Sequence, residues 1–293
     1  MTLRHFRIFI SVVKLNSITS AAKELYMTQP AISLAIKEME VYYGVRLFNR
    51  LSRKLFITDE GKKVYDIALQ VVKSVDDLRD EISSGEIQNN LKVGVSMTIG
   101  SCYLPQILVD FKNNNSRTNI ISIIDNSSRL IDLILNHTLD IAIIEGPQYS
   151  NKLKSITIKK DNLVLIIANN NPLSQKKYIS LADLLDQSFL LRDKDSGTRK
   201  IVDSLFLANN IVIEPKIESV STISLIEAVR NNIGISIIPK QFLKIIKNDN
   251  IIQRKIENIN FERAFTIIYQ KNKHLNKIMN DFIECSKNII IKE

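Results

Sequence analysis

From Asn90 onward the chain alternates short runs of Ile and Val with stretches whose apolar residues recur at helical spacing: LKVGVS, a helix after Gly100, IISII, then RLIDLIL, then DIAII. Short β-branched runs bounded by turn residues read as buried strands. The order β-α-β-α-β makes each connection a helical crossover, which implies a mainly parallel sheet in an α/β layer. A second set follows, with strands near Leu163 to Ala168, Phe189 to Leu191, Lys216 to Val220 and Ile235 to Ile238, and helices near Arg199 to Ala208 and Ile223 to Asn231. The final strand, Phe265 to Tyr269, and the helix from Leu275 have no partner in that set. Returned to the first set, they give two lobes joined by two crossings, with a cleft between them. The fold class is α/β overall.

The amino end obeys a different rule. Leu3, Phe6, Ile10 and Val13 recur at helical spacing, and Ala21, Ala22 and Leu25 give a second short apolar face after the Ser17 to Ser20 cluster, a source of helix caps. A third helix starts near Pro30, a good first-turn residue, and buries Ile32, Ile36 and Met39, while Gln29, Ser33 and Lys37 share the other side. Gly44 suits a left-handed helix end, and Arg46 to Thr58 alternates apolar and basic residues as a two-stranded wing does. The expected architecture is an all-α helix-turn-helix with a wing. Residues 1–58 carry nine Lys or Arg against three Glu, so +6 of the chain's formal +9 sits there. Such a concentration of positive charge points to nucleic acid as the partner.

Between the two regions, Val64, Ala68, Val71, Val75, Leu78 and Ile82 step by four and three, the pattern of a narrow coiled-coil seam. This predicts a linker helix that pairs with a second copy; the alternative is a helix lying on its own domain. Ser83, Ser84 and Gly85 punctuate its end. The expected domains are 1–58, a linker at 59–88 and a sensor at 89–293, the sensor divided into lobe I (about 89–160 and 265–293) and lobe II (about 161–264). The start, MTLRHFRIF, lacks the apolar run of a signal peptide, and the longest charge-free stretch is broken by Gly94, Gly100 and Pro105. A cytoplasmic protein without membrane contact is expected. Cys102 and Cys285 form no C-x-x-C pair and fit a reducing compartment, with Cys102 either a redox sensor or buried filler.

The blocks S-I-T-S-A-A-K-E-L, T-Q-P-A-I-S, E-V-Y-Y-G, L-F-N-R and I-T-D-E-G, in order over the first sixty or so residues, resemble the amino-terminal domain of LysR-type transcriptional regulators. S-M-T-I-G-S-C-Y-L-P, L-D-I-A-I-I-E-G-P, D-S-G-T-R and N-N-I-G-I-S-I-I-P sit where that family's two-lobed effector domain has similar blocks, and D-S-G-T-R resembles the branch regulating cysteine synthesis or carbon fixation. The resemblance implies a winged helix-turn-helix, a linker helix and a two-lobed effector domain like a type 2 periplasmic binding protein. It also implies double-stranded promoter DNA, a small-molecule effector and RNA polymerase as partners, a homodimer or homotetramer, and no cofactor. In that reading Thr28, Gln29 and Ser33 meet base edges or phosphates in a major groove, Pro30 makes close apolar contact, and Lys37, Arg50, Arg53 and Lys54 bind phosphate. Leu34 stands where the family often has an arginine, a departure at one implied contact.

Effector contacts are implied at two hydroxyl- and glycine-rich strand-to-helix junctions, with Ser96, Thr98 and Gly100 at the first and Gly197 and Thr198 at the second; Glu145 and Ser221 are further candidates. Helix starts offer free N–H groups that grip an anion, and the same residue types are also ordinary caps. Glu145 weighs against a purely anionic ligand: it selects an added amine or hydroxyl, or it points to water. Arg192 and Arg199 flank the second junction and offer either cleft charge or salt bridges. Enzyme chemistry finds little support. His5, His137 and His274 lie too far apart in sequence for a zinc pair, and no nucleophile elbow, Walker or dinucleotide pattern occurs, so no catalytic or metal residues are expected. A non-specific architectural DNA-binding protein is the remaining rival.

Overall fold

The spacing of Leu3, Phe6, Ile10 and Val13 is realised as helix α1 (Leu3–Leu15), whose first turn is closed by Thr2, with its N–H and hydroxyl both against Nδ1 of His5. The computed structural model describes residues 1–51, 54–83, 89–146, 148–246 and 250–292. Contacts divide the chain into two units, Met1–Gln88 and Asn89–Glu293.

In the first unit, α2 (Ile18–Glu24) starts at Ser17, whose hydroxyl accepts the Ser20 N–H at 3.1 Å. Helix α3 (Gln29–Tyr43) carries Pro30 in its first turn, and Gly44 ends it at φ 68°, a conformation that costs glycine nothing. Strands β1 (Phe48–Leu51) and β2 (Lys54–Ile57) form the antiparallel wing, with Phe48 opposite Ile57. Glu40 ties helix to wing, since its Oε1 accepts the Leu47 N–H at 2.8 Å and the Phe48 N–H at 3.3 Å. All of this packs on one core that includes Phe9, Val12, Ala21, Ile32, Met39 and Leu47.

Helix α4 (Asp59–Ser83) is where the seam reading needs correction. Ala68 and Leu69 are buried in that same core, with Val64, Tyr65 and Val72 packed against it, so the first half of the seam faces its own unit. The apolar face of α1 is wider than α2 and α3 can cover, and α4 supplies the missing wall. Ile67, Val71, Val75 and Leu78 remain exposed on α4, and the Ile82 side chain lies outside the described part.

The second unit begins with β3 (Asn89–Val95), α5 (Met97–Cys102), α6 (Leu104–Asn114), β4 (Thr118–Ile124), α7 (Ser127–Leu135) and β5 (Ile141–Glu145). Strands β4, β3 and β5 pair in parallel, as the crossover order requires. Strand β6 (Leu153–Ala168) follows, then β7 (Tyr178–Ile179), α8 (Leu181–Leu185), β8 (Leu190–Arg192), α9 (Gly197–Ala208), β9 (Ile217–Ser219), α10 (Thr222–Arg230), β10 (Ser236–Pro239), α11 (Phe242–Ile245), β11 (Ile251–Ile256), β12 (Glu262–Gln270) and α12 (Lys277–Lys292). The main sheet runs β4-β3-β5-β12-β6-β11-β7, with β10 also on β6; β8 and β9 pair separately in parallel.

Strand β6 is longer than its Ile/Val run announces. Leu153 to Asn162 pair antiparallel with β12, and Leu163 to Ala168 pair with β10 and β11, so this one strand runs through both lobes. The first half, LKSITIKKDN, hides in the sequence because it is rich in charge: Lys154 and Lys160 are exposed, while Asp161 is buried against Arg263. Strand β12 returns to β5, and α12 packs beside α6, where Phe111 and Phe282 meet edge-to-face at 5.7 Å. Lobe I is thus cored on one sheet face by Val93, Ile107, Phe111, Phe265 and Phe282 and on the other by Leu130, Ile134 and Ile144. Lobe II has its own two clusters, around Phe189, Val202 and Phe206 and around Ile166, Leu225 and Phe242. No described helix is long and apolar enough to cross a membrane.

Because the Glu40 carboxylate accepts the N–H groups of Leu47 and Phe48 at the entry to the wing, Glu40→Ala is expected to cost about 1–3 kcal/mol. The same variant should speed hydrogen exchange at Leu47 and Phe48 selectively; unchanged exchange there would show that the wing is held by other contacts.

Candidate functional site

In the first unit, α3 is clamped from behind. Ile32, Ala35, Ile36 and Met39 are buried, and the Glu38 carboxylate accepts from Nε2 of His5 at 2.8 Å. What remains outward at its start is polar: Thr28, Gln29 and Pro30 are exposed, Ser33 is half-buried and Lys37 is exposed. Leu34, 57% exposed, shares the outer surface as the one large apolar group near the helix start. Tyr26 in the turn before α3 adopts φ 53° and is fully outward. Arg53 and the side chains of Arg50 and Lys54 lie outside the described residues; the backbones of Arg50 and Lys54 belong to the wing, facing Leu55 and Leu51. A helix with one immobile apolar face and a polar, cation-bearing outer start has the dimensions and chemistry that a major groove accepts.

In the second unit, the two strand-to-helix junctions meet at a single guanidinium that the sequence reading did not single out. Arg263, on β12, donates from NH1 to Oγ1 of Thr198 at 2.7 Å and to the Glu145 carboxylate, from NH2 to Oγ1 of Thr98 at 3.0 Å, and from Nε to Oδ2 of Asp161 at 2.6 Å. Glu145 also accepts the Thr98 N–H at 2.8 Å. Arg263, Glu145, Asp161, Thr98 and Thr198 are all buried, and the guanidinium lies 5.6 Å from the Phe265 ring centre. Thr98 comes from lobe I and Thr198 from lobe II, so one cation bonds to both lobes. Nearby, a β-carbon on Gly197 would sit 2.4 Å from the Glu145 carbonyl oxygen, which shows how closely α9 approaches the end of β5. The α7 start completes the clasp: the Ser127 hydroxyl donates to the Glu145 carbonyl at 3.0 Å, and Asn126 donates to Asp193 at 2.6 Å.

Several expectations change here. Glu145 does not point to water; it is an ion-pair partner in the interior. Ser96 stands at the start of α5 beside it and is buried too. Gly100 is not part of the cluster, because a β-carbon there would meet Ile124 side-chain atoms from 2.7 Å, so its role is packing α5 onto β4. Ser221 caps α10, its hydroxyl accepting the Ser224 N–H at 3.3 Å, in a separate group around Arg192. Arg192 is buried and bonds Ser219, Thr222, Asn126 and Asp193; Arg199 holds Asp203 and Glu218. Cys102 packs against apolar clusters in both lobes. Arg263 and Asp161 were missed because F-E-R-A-F and K-K-D-N read as solvated charge. The available signal was alternation: Arg263 lies two residues before buried Phe265 and four before Ile267, on the inward face of the strand.

The comparisons with known proteins agree with this geometry. Residues 3–62 match the bacterial regulatory helix-turn-helix family of the lysR type, and residues 84–289 match the LysR substrate binding domain. The chain belongs to the LysR family of transcriptional regulators. It is 27% identical to the HTH-type transcriptional activator CmpR of Synechocystis sp., covering 97% of this chain and 94% of that protein. It is 24% identical to the RuBisCO operon transcriptional regulator of Allochromatium vinosum, covering 97% and 95%. The solved regulatory domain of CcmR from Synechocystis PCC6803, in complex with 2-PG, superposes with a TM-score of 0.64 at 22% identity, over 69% of this chain and 97% of that one. This LysR-type regulator therefore joins a DNA-binding helix-turn-helix to an effector-binding domain of that fold.

Its buried cluster holds two carboxylates against one cation. Burial alone would raise the Glu145 carboxyl, but the Arg263 guanidinium, the Thr98 and Ser96 hydroxyls and the Thr98 N–H outweigh it and hold Glu145 below its ordinary value. Burial drives Asp161 the other way, above its ordinary value, and Arg263 offsets only part of that. Removing the shared cation strands both acids, so Arg263→Met is expected to destabilise the regulator by about 3–5 kcal/mol in urea unfolding. A loss within error of zero would mean that the acids do not depend on it.

The pH signs of the two acids differ. A depressed Glu145 contributes stability that is lost only as pH falls below the unfolded carboxylate value of about 4. A raised Asp161 means the native state holds that proton more tightly, so stability declines as pH rises from about 4 through the native value. Asp161→Asn should therefore gain on wild type between pH 4 and pH 7, measured by urea unfolding at each; a stability difference that does not change with pH would contradict the raised value.

Proposed function

We propose that this regulator is a cytoplasmic homo-oligomer that reads double-stranded promoter DNA through α3 and the wing, with no catalytic step of its own. The reading surface is Thr28, Gln29, Pro30 and Ser33 toward base edges, with Lys37, Arg50, Arg53 and Lys54 on phosphate. The observation that carries it is the exposed polar start of α3 on a helix whose other face is fixed in the core. Functionally the chain divides at 1–58 for DNA, 59–88 for the linker and 89–293 for the sensor. The exposed stripe of Ile67, Val71, Val75 and Leu78 supports pairing of linker helices, as homodimer or homotetramer.

A small-molecule effector acts at the junction of the lobes, where Thr98, Glu145 and Thr198 converge on Arg263 and Ser96 and Gly197 lie beside Glu145. Gly100 and Ser221 support the frame from outside that junction. The bound and unbound sensor differ in lobe arrangement, which changes how the promoter is bent and how RNA polymerase engages it. A ligand that bound both arrangements equally would change nothing.

The DNA reading has a direct test. Gln29→Ala should cost about 1–3 kcal/mol and relax preference at one base position, whereas Lys37→Ala should weaken related and unrelated duplexes alike and reduce the salt slope by about one. Equal affinity for the native promoter and unrelated DNA, or affinity indifferent to salt between low and moderate concentration, would overturn it.

A further inference from the structure

We propose that Arg263 is an oxyanion receptor whose seat is filled by the chain's own Glu145 carboxylate, and that a small carboxylate or oxyanion binds the sensor by exchange with Glu145. The inference rests on reading the lobe junction as the effector site and names the chemistry of that site.

Three observations lead to exchange rather than simple addition. The first is charge. The buried cluster already sets Glu145 and Asp161 against one guanidinium, and a third negative group in the same interior would have one cation to share among three. Replacing one carboxylate by another leaves the balance unchanged. The second is donor chemistry. Glu145 is held by a guanidinium N–H and by the Thr98 backbone N–H at 2.8 Å, the donors a free carboxylate would seek. The Thr98 and Thr198 hydroxyls, at 3.0 and 2.7 Å from Arg263, stand beside the same seat and can turn to donate.

The third is the different attachment of the two acids. Asp161 lies within β6, paired through its backbone on β12, and grips Nε of Arg263; it fixes the orientation of the guanidinium. Glu145 is the last residue of β5, and Gly146 after it stands at φ 82°, a backbone position with no side chain to block movement. Rotation about the Glu145 side-chain bonds frees the Arg263 N–H that Glu145 occupies while Asp161 stays. Two buried acceptors, Oδ1 of Asp161 and Oε1 of Gln241, have no hydrogen-bond partner, which would suit a donor ligand instead. Turning over the Gln241 amide supplies a donor to its neighbour Asp161 without any ligand, so that shortage does not outweigh the charge balance.

The experiment uses the full-length chain as wild type, Glu145→Ala and Glu145→Gln, titrated with sodium acetate, with sodium chloride at matched ionic strength and with methylammonium chloride. Calorimetry and the sensor's thermal midpoint are read together. Glu145→Ala is expected to bind acetate at least about tenfold more tightly than wild type does. Glu145→Gln, which leaves the seat filled, should not, and adding Arg263→Met to Glu145→Ala should abolish the gain. Equal acetate responses in wild type and Glu145→Ala overturn the proposal, as does a response to methylammonium in place of acetate. If Glu145→Ala does not fold in chloride, recovery of folded protein in acetate is the same result seen as rescue, and equal failure in both salts counts against exchange. The effector reading itself fails differently: wild-type DNA binding would then respond to no small molecule, whatever acetate does to the variant.

Discussion

Two buried guanidiniums bridge the lobes: Arg192 bonds Asn126 across them, and Arg263 bonds a threonine from each. Arg263 has enough N–H groups to serve Asp161 within the sheet, Glu145 at a strand end and a threonine hydroxyl from each lobe, and it uses them all at once. A hydrophobic contact in its place would give similar or greater stability, since buried ion pairs recover little more than their desolvation cost. What an ionic joint has that an apolar one lacks is discreteness. Its partners are either in hydrogen-bond geometry or stranded, so partial separation of the groups is disfavoured. That is the property a sensor needs, because a ligand shifts populations only between states to which it binds unequally.

The DNA-reading unit reaches its working form by consuming its own acids. Helix α3 carries two glutamates, and both have partners: Glu38 has His5 at the start of α1, and Glu40 has the N–H groups of Leu47 and Phe48. Glu24 accepts the Ser11 hydroxyl, which ties α2 to α1. Each acid of the first 58 residues thus braces one element against another. The repulsion that a phosphate backbone would feel is reduced to three anchored charges, while Lys37 stands exposed on α3. The local excess of +6 is made useful by where the negative charges are held.

Much of this was legible in the sequence, and the misses share one cause. Helices α1 to α3, the wing and the alternation of β3, α6, β4, α7 and β5 followed from apolar period alone, because each buries one face and leaves the other wet. Gly44 and Ser17 announced a helix end and a helix start through backbone chemistry that few other residues offer. The first half of β6 and the two key charges did not announce themselves. A buried ion cluster uses the same letters as a solvated loop, and only the third dimension distinguishes Asp161 or Arg263 from an outward lysine. The α4 seam is split for a related reason: spacing gives the faces of a helix but not which neighbour covers each, and here Val64 and Ala68 serve their own unit while Val71, Val75 and Leu78 stay exposed. Gly100 and Ser221 were drawn into the site by residue type, whereas their atoms show packing and capping.

The two recognition tasks fall in opposite electrostatic regimes, and that separation follows from where the chain puts its charge. At α3 the groups are solvated, so each contact is worth little alone and attraction to a duplex comes from release of counterions, which salt opposes directly. At Arg263 the groups are buried, screening by salt is slight, and any unbalanced charge is costly. A single chain can therefore hold its DNA affinity at the mercy of ionic conditions while its sensor responds to the identity of one small molecule. The coupling between them needs no shared charge, only a lobe arrangement that differs between the two states of the ionic joint.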